Sequence, residues 1–152
     1  MILPDTNLLV AFTWERHQHK AAAENFFQKY PKVATCPLTE LALVRIWMQK
    51  GASGEDADTA LRDFVSKYRS RLIPDDLSAT AIAGLNQGHR QTTDSYLAML
   101  AKHHRIKFAT LEEALANRFP GISELVKSFR QRCFRFLAER SSLHLAIAEG
   151  TS

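Results

Sequence analysis

With 152 residues, 45% of them hydrophobic, the chain is the size of one domain and can bury a core without disulfide or metal staples. No run approaches the roughly 20 apolar residues of a membrane span, and Asp5 arrives too early for the apolar stretch of a signal peptide; Cys36 and Cys133 lie far apart, with no cysteine at metal-ligand spacing. The expectation is a soluble, cytoplasmic protein without a membrane partner, and its net charge of +4, with 20 Lys and Arg against 16 Asp and Glu, is only a mild bias towards polyanions.

Met1 to Leu3 has room for only a short strand, and the LLVAF that follows DTN reads as the first turns of a helix. AAAENFFQKY is a second helix, stopped by Pro31. KVATC reads as a short strand and CPLTELALVRIWMQKG as a helix, with Pro37 near its first turn and Gly51 beyond its end. SGEDADTALRDFVSKY starts with acids and ends with Lys and Tyr, the polarity that a helix macrodipole favours. Arg71 to Ile73 is a third strand ended by Pro74, and LSATAIAGLNQ a further helix closed by Gly88. TTDSYLAMLAKHH supplies a helix with Asp94 in its first turn, and IKFAT the next strand. Helices alternating with short β-like runs predict an α/β sandwich built on a mostly parallel sheet.

Asp5, Glu40, Asp94 and Glu112 each stand at or near the carboxyl end of a predicted strand or in the first turn of a predicted helix. In an open parallel sheet those ends share one edge, where ligands bind. Carboxylates gathered there repel one another unless a divalent cation lies between them, and hard oxygen donors suit Mg²⁺ or Mn²⁺ better than zinc. Taken alone, Asp5 is explained as a helix N-cap, and Glu40 and Asp94 as dipole partners in first turns. His17 and His19, two residues apart, would face different sides of a helix, and His89, His103 and His104 show no partner pattern. Position 7 is Asn, so the second Asp that an aspartyl-phosphate enzyme requires two residues after its nucleophile is missing, and no glycine triplet follows the first strand to cradle a dinucleotide.

DTNLL, CPLTELALVRIW and TTDSYLAMLAKHHRIKFATLE, in this order and spacing, resemble the successive motifs of the PIN domain, specifically of the VapC-like toxin ribonucleases of bacterial toxin–antitoxin pairs. The resemblance covers Met1 to Val126. It implies a three-layer sandwich with a short central sheet, and a metal-dependent endoribonuclease in which Asp5, Glu40 and Asp94 bind Mg²⁺ or Mn²⁺. It further implies a homodimer, an RNA substrate and a cognate antitoxin as a separate chain. The family's last acidic motif usually reads T-F-D, whereas Thr110, Leu111 and Glu112 stand here; Glu112 is the expected fourth ligand, with Glu113 as a substitute. Loss of activity through that change would leave a PIN-like RNA- or protein-binding module instead. Asn7, Thr39 and Thr110 are candidate orienting residues for the metal ligands, Asn7 and Thr39 being explained by capping nearly as well. Arg45, five residues beyond Glu40, is a candidate phosphate contact.

Beyond the nuclease portion, 1–126, the segment 127–152 reads as a helical extension of the same domain. Leu125, Phe129, Cys133 and Leu137 fall at four-residue steps from a helix expected to begin near Ser123, while Lys127, Arg130, Arg132, Arg135 and Arg140 make it basic. Capping of its own domain, packing across a dimer and contact of Arg130, Arg132 and Arg135 with RNA phosphates are the roles such a helix can take.

Overall fold

The first strand is short because Asp5 ends it. In the computed structural model, which describes residues 1–85 and 88–127, β1 (Ile2–Pro4) gives way directly to α1 (Thr6–Thr13), with Asp5 as its N-cap. α2 (Lys20–Lys29) follows, then β2 (Ala34–Thr35), α3 (Pro37–Gln49) and α4 (Gly54–Lys67). β3 (Arg71–Leu72) leads through an extended loop and two short 3-10 turns, Ala79–Ile82 and His89–Gln91, into α5 (Thr92–His103). β4 (Lys107–Thr110), α6 (Glu113–Arg118) and β5 (Ser123–Leu125) complete the described chain.

β4 lies between β1 and β5, β2 pairs with β3, and a parallel bridge between Ile2 and Val33 joins the two ladders, so the spatial order is β3-β2-β1-β4-β5. Every strand pairing among the described residues is parallel. Parallel neighbours need crossovers, and the helices supply them, so the carboxyl ends of all the strands fall on one edge.

Alternation along the strands sorts the core into two layers. Ile2, Val33 and Ala109 pack with Leu8, Leu9, Phe27, Leu43 and Phe64 from α1 to α4. Leu3, Ala34 and Phe108 face the other way, onto Leu97 and Leu100 of α5 and Leu115 of α6. The first layer is stiffened by Phe12, Phe27, Phe64 and Tyr68, whose ring centroids lie 4.5 to 6.0 Å apart in tilted and edge-on pairs.

Three segments depart from the sequence reading. The described residues of LSATAIAGLNQ form a four-residue 3-10 turn, not an α-helix: Ser78 caps it, Ile82 alone of the turn's residues is buried, and Gly84 turns the chain at φ 79°. With so little apolar surface to bury, nothing holds a longer helix against the sheet. α6, between Glu113 and Arg118, was not anticipated. Ser123 to Leu125 is a parallel strand beside Phe108 to Thr110, where the four-residue periodicity placed the start of a helix. The free edge of β4 offers these residues a ladder, and Gly121, at φ 81°, reverses the chain into it. The remainder of the predicted tail helix, with Arg130, Arg132 and Arg135, lies outside the described residues.

Candidate metal and active site

Asp5 is fixed from both sides. Its N–H continues the β1 ladder by donating to Ala109 O at 2.8 Å, and its Oδ1 accepts from Leu8 N–H at 2.6 Å, closing the first turn of α1. The side chain is 2% exposed. Burial pushes the carboxyl pKa up, to about 7, and the neighbouring charges of Asp94 and Glu112 push the same way, while the Thr110 hydroxyl and the Leu8 N–H oppose them. Capping and gathering of acids, alternatives in the sequence, are therefore both true of this one residue.

Asp94 comes from the first turn of α5, where it is half-buried. Desolvation raises its pKa, the charge of Glu112 adds to that, and Arg118 offsets it. Glu112, exposed at the N-cap of α6, thus acts on both aspartates. Glu113 is an exposed first-turn residue of α6 and is not among the charges acting on either. Thr110 links these groups: fully buried at the end of β4, it lies beside Asp5 and its Oγ1 accepts from Glu112 N–H at 3.0 Å.

Glu40 occupies the first turn of α3, next along the same edge. Its Oε1 accepts from the hydroxyl of Thr35, the last residue of β2, at 2.6 Å. The charges that raise Asp5 are those of Asp94 and Glu112, and the charge that raises Asp94 is that of Glu112; Glu40 is not among them. Thr39, expected to orient a ligand, instead caps α3: its Oγ1 donates to Cys36 O at 2.9 Å and accepts from Cys36 N–H at 3.1 Å. Thr35 does for Glu40 what was assigned to Thr39. Asn7 is exposed in the first turn of α1 and lines a groove with Trp14, Arg16, His17 and Lys50. Arg45, also exposed, lines a second groove with Leu41, Met48 and Thr93, the residue before Asp94.

Arg118 is the residue that sequence reasoning missed. It reaches Gln91 Oε1 at 2.6 Å and the Ser95 hydroxyl at 3.5 Å, gripping the start of α5 around Asp94. Its place depends on α6, and without that helix nothing in the local sequence ties it to an acid 24 positions earlier.

The donor set is oxygen throughout, and a carboxyl whose pKa is pushed up to about 7 by burial, with two neighbouring acids adding to it, is a site that a cation would relieve. These residues fit a hard divalent ion. The profile of the PIN domain matches residues 2–118. The chain belongs to the PIN-domain family. Within it, the chain is VapC-like: it is 38% identical over 132 residues to Ribonuclease VapC29 of Mycobacterium tuberculosis, covering 82% of this chain and 96% of the relative. It is 32% identical over 120 residues to Ribonuclease VapC38 of the same organism, covering 74% and 85%. Two solved structures share the PIN fold. A toxin–antitoxin complex from Klebsiella pneumoniae matches with a TM-score of 0.59 at 16% identity, covering 85% of this chain and all of that one. VapBC2 from Rickettsia felis, bound to a promoter DNA fragment, matches with a TM-score of 0.61 at 19% identity, covering 84% and 100%. No described helix is long and apolar enough to cross a membrane.

Proposed function

We propose that this PIN-domain chain is an endoribonuclease toxin of the VapC type, using Mg²⁺ or Mn²⁺ held by Asp5 and Asp94, with Glu112 and Glu40 completing the acidic edge. The observation that carries the site assignment is the buried Asp5 carboxyl, raised to about 7 by desolvation and by Asp94 and Glu112. A divalent cation bound there supplies charge neutralisation for a phosphodiester and acidifies an attacking water. The chain's own residues do the positioning. Leu8 N–H and Thr110 hold Asp5 in one orientation, Thr35 holds Glu40, and Arg118 limits the repulsion at Asp94. Arg45, exposed and lining one groove with Thr93, is the candidate contact for a phosphate of the RNA strand.

The partners follow the same reading. A cognate antitoxin, as a separate chain, inhibits by covering the acidic edge. Leu41 and Met48, 68% and 50% exposed on α3, form an apolar face that supports a homodimer. The assignment is tested by incubating end-labelled RNA with the protein in EDTA, Mg²⁺ or Mn²⁺. Cleavage should need the cation and be lost in Asp94→Asn, whose folding is checked by circular dichroism. Cation-independent cleavage, or full activity in the variant, contradicts the proposal.

A further inference from the structure

The far end of α5 carries a second group of metal-ligating side chains. Asp94 sits in the first turn of this helix, and His103 and His104 close it. At 1.5 Å per residue, nine residues place His103 roughly 14 Å along the axis from Asp94. Asp76, in the loop that follows β3, reaches back to both histidines. Its Oδ1 lies 2.9 Å from His104 Nε2 and 3.7 Å from His103 Nε2. The potential ligand atoms of the three residues all lie within 4.8 Å of one another, a condition that no other group of three among the described His, Cys, Asp and Glu residues meets.

Two of the three ligand-atom separations suit a coordination sphere. Zinc bonds of about 2.0–2.1 Å to imidazole and carboxylate put tetrahedral ligand atoms about 3.3–3.4 Å apart, and the 2.9 and 3.7 Å separations straddle that edge. The two rings stand at 88° with centroids 5.1 Å apart, so they do not stack and both leave Nε2 directed at the same carboxylate. The backbone holds them there. Arg105 N–H bonds Lys102 O at 3.0 Å and Ile106 N–H bonds Ala101 O at 2.9 Å, a Schellman closure with Arg105 at φ 56°, which fixes where the last two helical residues point. The carbonyl end of a helix also favours a positive charge. Ion pairing of Asp76 with the two histidines at this exposed place would contribute at most about 1 kcal/mol.

We propose that Asp76, His103 and His104 form a second metal site, taking a borderline cation such as Zn²⁺ through two imidazole nitrogens and one carboxylate oxygen, with water in the fourth position. Two nitrogens and one oxygen are a zinc donor set, unlike the all-oxygen set at Asp5 and Asp94. Asp76 and His103 are exposed and His104 is partly buried, so the ion enters from the side of the first two. Bound there, it ties the loop after β3 to the end of α5, a clamp and not a part of the nuclease chemistry. This site stands independently of the nuclease assignment.

The full chain, stripped of metal and held in millimolar Mg²⁺ to occupy the carboxylate edge, is titrated with Zn²⁺ by calorimetry and with Co²⁺ by visible absorption. One equivalent should bind, Co²⁺ should give the intense absorption of a four-coordinate ion, and Zn²⁺ should raise the melting temperature. Asp76→Asn, His103→Gln and His104→Gln, all at solvent-accessible positions, should each weaken binding by more than about tenfold, since loss of even a supporting group at a metal site costs 10–100-fold. Asp94→Asn should leave the Zn²⁺ affinity unchanged. Zn²⁺ binding that survives all three substitutions, binding that disappears in Asp94→Asn, or no binding at all would overturn the proposal.

Discussion

Replacing Asp5 by Asn should stabilise the metal-free protein while abolishing its activity. Burial pushes the native carboxyl up to about 7 from an ordinary value of 3.8, a difference that corresponds to about 4 kcal/mol between the two protonation states. That value is what remains after the Leu8 and Thr110 hydrogen bonds have offset part of the burial penalty. Because the folded-state pKa is raised, the native protein holds more protons than the unfolded chain between about pH 4 and 7. Stability therefore falls as pH rises through that window and levels off above it. Asn keeps the capping oxygen for Leu8 N–H but never ionises. Urea denaturation in EDTA should thus find Asp5→Asn equal to the parent near pH 4 and more stable by up to about 4 kcal/mol at pH 8. Saturating Mn²⁺ should reverse the order, since the parent alone gains the binding free energy. Parallel pH profiles for the two proteins in EDTA would refute the reasoning, because they would mean that ionised Asp5 carries no penalty in the fold.

Glu112→Gln should lower Mn²⁺-dependent RNA cleavage more than Glu113→Gln, and Glu112→Asp should preserve it, because Glu112 alone of the two acts on Asp5 and Asp94; equal initial rates for the two Gln variants would contradict this. Thr35→Val removes the donor that holds Glu40, so cleavage should fall with little change in the fold, and Thr35→Ser should restore it. A Val variant as active as the parent would show that this hydrogen bond is idle.

Much of this arrangement is legible in the sequence because local signals and the tertiary fold agree. DTN after an apolar triplet is both a strand end and a cap, α3 is bracketed by Pro37 and Gly51, and α5 is marked by Asp94 in its first turn. The acidic edge followed from topology alone, since parallel strands bring their carboxyl ends together whatever the loops do. The misreadings share a cause. At Ser123 to Leu125 the apolar spacing suits a helix, and the unpaired edge of β4, invisible in the local sequence, decides for a strand. α6 is only six residues long, too short to show a period, and so Arg118 could not be connected to Asp94. Thr39 and Thr35 lie four apart around one helix start; which hydroxyl caps and which holds Glu40 depends on backbone direction, not on residue type. His103 and His104 showed no pattern because their partner, Asp76, is 27 residues away, across the 3-10 turns.

A cation bound at the Asp5 carboxylate must displace its proton, and proton release on Mn²⁺ binding tests that site most directly. A carboxyl with a pKa of about 7 is protonated in about nine molecules of ten at pH 6 and in about one of ten at pH 8, and a metal displaces that proton. Calorimetry in buffers of different ionisation enthalpy should therefore find that Asp5 contributes about 0.9 proton released per Mn²⁺ at pH 6, falling to about 0.1 at pH 8, with the release reduced in Asp5→Asn. Release that is independent of pH, or that persists unchanged in Asp5→Asn, would contradict the account.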